Sequence, residues 1–450
     1  MSIPLVILRA SEFVSWKKKQ PLLVRRWIQT HALEGGASEM LAIPAKDGST
    51  EMVVALVDNE PGIWSIAHLP SKLPPASYTI QSELAPALLT QLALGWQLAC
   101  YRFSRYKKHE RQLPTLNLPK QADKTFVESA ATAIGWARDM INTPANDMTP
   151  AALADEALKL SEHYHGKASV IKGEALLKQN WPMVYAVGKA AAIPPHLVDM
   201  RFGKETAPKV TLVGKGVCFD SGGLDIKSTS NMKLMKKDMG GAAAVLALAK
   251  MILESKLPVR LRVLVPAVEN AISGNAMRPL DIVPTRKGLT VEIGNTDAEG
   301  RLILCDALYE ADEEKPDLLI DCATLTGAAR VALGTDIPAF FTPDDNLADE
   351  LMRHSRATQD PLWRLPLWKP YRSLLETKHA DLSNDPDSGY GGAITAALYL
   401  AEFVTKTPSW LHIDMMAWNV SDRPGRPKGG EAMAVRALFE LIRERYGRKR

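Results

Sequence analysis

Cysteine is scarce in this 450-residue chain, and its four copies, Cys100, Cys218, Cys305 and Cys322, show no CxxC spacing. That scatter argues against a disulfide framework, and the apolar sequence around each copy points to buried, reduced thiols. No run of 18 or more apolar residues occurs, so no membrane-spanning helix is expected. The first residues, MSIPLVILRASEFVSW, carry no basic residue ahead of their short apolar run and no small-residue cleavage site. A leader is therefore not expected, and a cytoplasmic location is. Neither sign of charge prevails: Lys and Arg number 55 against 51 for Asp and Glu, a net of +4, which gives no strong field for nucleic acid. None of the nine histidines lies in the charged motifs described below, which removes HExxH zinc chemistry. His412, beside strand-like sequence, reads as a satisfied core histidine. The pattern GxxxxGK[ST] is missing although Gly214-Lys215-Gly216 follows a strand-like run, so nucleotide binding is disfavoured. GxSxG is missing too, and Ser221 in FDSGG reads as a turn residue rather than a nucleophile.

What is present is apolar sequence in two patterns. At 46% hydrophobic content the chain can bury more than one core, and its length suggests two or three domains. Residues 1–100 alternate short apolar runs (PLVIL, EMVVALVD, WSIAHL) with turn-rich pieces and one helix-like stretch, ALLTQLALGWQLACYRF, a pattern that suits a small α/β domain. Residues 104–125 are basic, hold two prolines and lack helical periodicity, so they are expected to form the linker. A helix over about 126–142 then leads into strands (KVTLVG, RLRVLVPAV, DLLIDCAT, WLHIDMM) that alternate with helical segments. The expected fold class is α/β: a small N-terminal α/β domain, residues 1–125, and a larger catalytic domain, residues 126–450, with a mixed, largely parallel sheet sandwiched by helices. The terminal RERYGRKR is expected to be a solvated basic end.

Two segments carry charge where apolar elements end. The octapeptide Asn295–Leu302 (NTDAEGRL) packs Asp297, Glu299 and Arg301 into five residues ahead of an apolar run. Upstream, Lys215 and Asp220 follow the strand-like KVTLV, and Asp238 precedes the glycine-opened apolar helix GGAAAVLALAKMI. An unpaired charge at such positions costs several kcal/mol by rough estimate unless a partner or metal compensates it. Four carboxylates, from Asp220, Asp238, Asp297 and Glu299, match the charge of two adjacent divalent ions, a pair that can activate water and polarise a carbonyl. Oxygen ligands without histidine suit Mn²⁺, Mg²⁺ or Zn²⁺. Asp225, between Leu224 and Ile226, reads as a solvated or hydrogen-bonded turn residue.

These motifs, together with GKGVCFDSGG, KKDMGGAAAV, VENAISGNAMRP, DCATLTGAA and GYGGAITAALYL in that family's order, resemble the leucyl aminopeptidase (cytosol aminopeptidase) family of two-metal exopeptidases over about 138–440. The resemblance implies a metal-dependent aminopeptidase acting on peptides with a free N-terminus, assembled as a homo-hexamer. It implies a tighter ion held by Lys215, Asp220, Asp238 and Glu299, and a more exchangeable one held by Asp220, Asp297 and Glu299. Lys227 would polarise the scissile carbonyl, and Arg301 would hold a bicarbonate acting as general base. The substrate amine would contact Asp238, the backbone around Thr324, Leu325 and Gly327 would cradle the peptide, and Met235 would line the first side-chain pocket. Some members of the family also bind DNA, a second reading to which the balanced charge here gives little support. The chain departs from the family pattern at Cys218, Ser228 and Leu280, the last standing where glycine is usual. Met415 and Met416 lie near the expected specificity pocket and leave leucine preference open.

Overall fold

The structure is a computed structural model and describes residues 2–386 and 388–447; the last three residues of the basic tail lie outside the described residues. The chain divides into two compact units, one of residues 1–135 and 421–428, the other of 136–420 and 429–450. Sequence places the domain boundary at 125/126, whereas the first unit runs on to Gly135, inside the continuous helix Lys124–Asn142.

The first unit is built on a five-stranded sheet in the order Met40–Pro44, Thr50–Val57, Ile3–Arg9, Ser77–Ile80, Thr115–Asn117. Phe13, Val24 and Ile28 pack on its Ile43, Val54 and Leu56 to close the core on one face. Two sequence readings change here. The run WSIAHL forms turns rather than a strand, because Ser65, Ala67 and Leu69 each donate backward to Gly62, Trp64 and Ile66 carbonyls. Within the expected linker, Thr115–Asn117 pairs in parallel with Ser77–Ile80, and Leu116 is buried; three residues are too few for alternation to show in the sequence. The return segment Ser421–Lys428 belongs to this unit, with the Arg426 guanidinium 4.6 Å from the Trp64 ring centre. Gly425, at φ 72°, lies so close that a Cβ there would stand 2.6 Å from that ring.

The second unit carries a nine-stranded sheet. Its path runs Trp363–Arg364, Ala339–Phe341, Trp410–Asp414, Leu318–Ala323, Lys209–Gly214, Arg260–Asn270, His196–Phe202, Lys167–Lys172, and Gly216–Asp220 pairs with the far end of Arg260–Asn270. The four central strands of the path are parallel to one another, and antiparallel pairs appear toward the edges. These central strands read as continuous apolar runs because helices cover both faces. The helix Gly240–Glu254 is buried over nearly its whole circumference, and Glu299–Glu313 is similar. Gly241 sets the closeness of that packing: a Cβ there would stand 2.0 Å from the Cys322 carbonyl oxygen. Register places Gly214 beside Cys322, Ala323 beside Asp414, and Asp220 beside Asn270. The residues that leave these strands at their carboxyl ends therefore emerge along one edge, the place where open α/β sheets form their sites. Among the described residues no helix is long and apolar enough to cross a membrane. Cys218, Cys305 and Cys322 are buried free thiols and Cys100 is partly buried.

Candidate metal centre

Lys215 leaves the 209–214 strand directly into the protein interior. Its Nζ lies 2.6 Å from Asp238 Oδ2 and 2.9 Å from Glu299 Oε1, and it donates to the Thr324 carbonyl at 2.9 Å. Asp238 stands just ahead of the helix Gly240–Glu254, and Glu299 is the first residue of Glu299–Glu313. Both carboxylates thus sit at helix N-termini, where the aligned peptide dipoles favour negative charge. Lys227 lies 2.8 Å from Asp220 Oδ2 and also pairs with Asp297. Asp220, Asp297 and Glu299 each offer an oxygen to a cluster whose members lie within 4.8 Å of one another. Asp238 reaches that cluster through the Lys215 amine, so sequence positions 215, 220, 227, 238, 297 and 299 converge.

The electrostatics of this group are strained. Burial, and then the neighbouring Asp220 carboxylate, hold Glu299 well above the usual carboxylate range. The same two causes push Asp297 up to about 6. Burial acts on Asp238 in the same sense, but the Lys215 and Lys237 ammonium groups overcome it and hold Asp238 below its ordinary value. For Lys215 and Lys227 burial favours the neutral amine; the facing carboxylates outweigh it and raise both. Three buried carboxylate oxygens, Asp238 Oδ2, Asp297 Oδ1 and Glu299 Oε1, each face a lysine ammonium as their close partner. Crowding carboxylates around two ammonium groups in a buried site is costly, and hard divalent cations are the groups that oxygen-rich donor sets of this kind hold best. The residues present therefore fit metal ions.

Polar residues hold the ligands in place, and motif reading does not single out three of them, Asn270, Asn384 and Asp414. Asn270 Nδ2 donates to Asp220 Oδ1 at 2.9 Å and to the Thr296 carbonyl. Asp225 accepts from Thr296 N at 2.7 Å, a turn role that fixes the backbone ahead of Asp297. Asn384 bridges Gly294, Asn295 and Ala298 and accepts from Arg301 Nη1 through its carbonyl at 2.5 Å. Asp414 accepts from the Leu325 and Thr326 amides and the Thr326 hydroxyl, setting the loop that follows the 318–323 strand. Thr324 closes the ring by donating to Asp238 Oδ1 at 2.6 Å. Each of these partners is 26 or more positions from the residue it supports, so no local spacing announces it.

The other candidates are less tightly bound to the cluster. Arg301 is buried in the first turn of its helix and keeps an Nε without a hydrogen bond. Met235 is half-buried on the short turn Met235–Lys237, Leu325 is half-buried, and Gly327 is exposed at the start of the helix Gly327–Leu333. His412 is fully buried, with Nδ1 2.6 Å from Asp321 Oδ1, and takes no part in the cluster.

A carboxylate-and-lysine cluster that fits cations, at the carboxyl edge of a largely parallel sheet, is an arrangement found in α/β hydrolytic enzymes. The family model described as the cytosol aminopeptidase family, catalytic domain, matches residues 135–439, and the M17 aminopeptidase N-terminal domain matches residues 3–119. The chain belongs to the cytosol aminopeptidase family and is a peptide-bond hydrolase. It is 45% identical to the cytosol aminopeptidase of Coxiella burnetii, whose crystal structure superposes with a TM-score of 0.96 over 99% of this chain and 98% of that one. It is also similar to leucine aminopeptidase 1 of Arabidopsis thaliana, 37% identical over 81% of this chain and 73% of that protein. The bottromycin maturation enzyme BotP in complex with Mn shares 32% identity and a TM-score of 0.88, covering 98% of this chain and 99% of that one.

Proposed function

We propose that this chain is a two-metal aminopeptidase that removes N-terminal residues from peptides. The observation that carries the reading is the cluster of Asp220, Asp297 and Glu299, with oxygens within 4.8 Å of one another, Asp220 and Glu299 buried and Asp297 partly so, faced by the Lys215 and Lys227 amines. Lys215, Asp220, Asp238 and Glu299 would hold the tighter of two divalent ions, and Asp220, Asp297 and Glu299 the exchangeable one. Mn²⁺, Zn²⁺ and Mg²⁺ all suit this donor set. When bound, such ions supply a Lewis acid for the scissile carbonyl and an activated water.

The remaining work falls to the chain's own side chains. Lys215 holds its proton against three surrounding carboxylates and must release it to become a ligand, so occupancy of its site is coupled to proton loss. Lys227 retains its charge because Asp220 and Glu299 raise its pKa, and as an ammonium it would donate to the carbonyl oxygen as negative charge develops there. The open Nε of Arg301 would hold an anionic base such as bicarbonate. Asp238, kept ionised, would pair with the substrate's α-ammonium and so select free N-termini. The loop of Thr324, Leu325 and Gly327 would bind peptide backbone, with its conformation set by Asp414, while Met235 would border the first side-chain pocket. A homo-hexamer in the cytoplasm completes the proposal. A panel of aminoacyl anilides assayed with Mn²⁺, Zn²⁺ or EDTA tests it: metal-dependent release is expected, and full activity in excess EDTA would refute the metal mechanism.

A further inference from the structure

A one-sided charged surface lies in the first unit, far along the chain from the metal ligands. Between Phe13 and Leu33 the sequence contains five lysines and arginines and no acidic residue, although the whole chain is nearly neutral. Lys18, Lys19, Arg25 and Arg26 are exposed, and Lys17 is half-exposed beside the Phe13 ring. None of the five forms an ion pair among the described residues. Three aliphatic side chains stand out among them: Val14 is 60% exposed, Leu22 55% and Leu23 63%.

Local structure explains why these groups point outward together. The helices Phe13–Lys18 and Leu22–Thr30 are joined by a short turn through Pro21, and Phe13, Val24 and Ile28 bury their shared inner side against the sheet. At 100° per residue, Leu22 and Arg26 lie opposite Val24 and Ile28, flanked by Leu23 and Arg25. The outer side is therefore leucine and cation, not the mixed-charge surface that simple solvation would produce.

We propose that residues 14–26 form a docking face for an anionic lipid bilayer. An amphipathic segment with apolar tips inside a cationic ring matches a membrane surface on both counts: aliphatic side chains enter the headgroup region while lysine and arginine meet lipid phosphates. A second copy of this chain is a poor occupant of the same face, since a twofold contact would set five cations against five. Nucleic acid would use the cations but has no use for Val14, Leu22 and Leu23. The nearby tryptophans are not offered for base stacking either: Trp27 donates its Nε1–H to the Ala42 carbonyl and packs its ring on His31.

The full-length protein, sedimented with vesicles of phosphatidylcholine alone or with about 30% phosphatidylglycerol, tests this. Each basic residue brought to an anionic surface strengthens partition by about fivefold, so binding to the anionic vesicles should exceed binding to the neutral ones at least about tenfold. Raising salt from about 0.1 to 0.5 M should remove most of that difference. The variant K18E/K19E/R25E/R26E should lose the binding, and L22S/L23S should weaken it by about tenfold while leaving every charge in place. Turnover of an aminoacyl anilide should be unchanged in both, which reports that they fold. Equal partition into the two vesicle types, or retained binding by either variant, would overturn the proposal. So would a change of oligomeric state in L22S/L23S, which would make the patch a contact between copies. Tighter binding of a short DNA duplex than of anionic vesicles, lost in the charge-reversed variant alone, would assign the patch to nucleic acid instead.

Discussion

Gly300→Ala should separate activity from stability in opposite directions. Gly300 is the second residue of the helix Glu299–Glu313, and a Cβ built there stands 2.6 Å from Lys215 Cε and 2.7 Å from Lys215 Nζ. Ordinary carbon contacts begin at about 3.5 Å, so the end of the lysine must retreat by about 1 Å. The obstacle is the tip of a flexible chain rather than backbone, which lets the fold absorb the change. The amine, however, then leaves positions 2.6 Å from Asp238 and 2.9 Å from Glu299. A misplacement of about 1 Å in a catalytic constellation costs about a hundredfold, so kcat/KM should fall by about that factor, or ~2.7 kcal/mol of transition-state stabilisation. The helix meanwhile exchanges glycine for the best helix former, a gain of up to ~1 kcal/mol, so Tm should hold or rise. Steady-state kinetics, Mn²⁺ titration and thermal melts on the same preparation decide the matter. Wild-type kinetics would show that the Lys215 amine has no role in the centre. A fall in Tm alongside the lost activity would show simple packing damage.

Glu299→Ala should abolish turnover and lower the metal content, because it removes the carboxylate placed to bridge; retention of two ions per chain with normal rates would sink the site assignment. Lys227→Ala should lower kcat by about 10²–10³, the scale for losing one oxyanion donor, with metal content intact. Lys215→Ala should instead weaken the tighter metal site, and equal metal loss in both lysine variants would refute the division of labour. N-acetylated peptides should resist cleavage, since acylation removes the positive partner for Asp238; ready hydrolysis of an acetyl-leucyl anilide would contradict the exopeptidase reading. Leu280→Gly should stabilise the protein, because Leu280 sits at φ 69° and is 71% exposed. Relief of a left-handed conformation worth ~1–2 kcal/mol exceeds the ~0.5–1 kcal/mol entropy cost of glycine, so a lower Tm would count against the strain.

Charges at strand and helix ends were legible because a core element tolerates apolar residues along its length and polar ones only where it stops. That is why Lys215, Asp220, Asp238 and Glu299 stood out, and why the strand Lys209–Gly214 could be read with its bounds. The octapeptide at 295–302 carried the family resemblance, and the family match bears it out. Asn270, Asn384 and Asp414 were not legible, since their partners lie on other strands and loops and become neighbours only through sheet register. The departure at Leu280 was visible as a missing glycine, but its meaning needed the backbone angle. Short strands such as Thr115–Asn117 were hidden because three residues cannot display a period, and the basic sequence around them resembles a connector. The cations at 17–26 drew no reading from the sequence, because the chain is balanced overall and their partnership with exposed aliphatic side chains required the inner face to be known.

The return of Ser421–Lys428 to the first unit carries a consequence for biosynthesis. A chain emerging from the ribosome presents its N-terminal residues first, yet this unit lacks its last segment until position 428 has been made. At about 5–20 residues per second that wait lasts roughly 15–60 s, during which Trp64 has no Arg426 against its ring. Completion of the smaller unit is thereby tied to synthesis of most of the larger one, residues 136–420. A chain cut short before position 421 lacks the segment that sets Arg426 on Trp64, so the smaller unit is left unfinished along with the larger one.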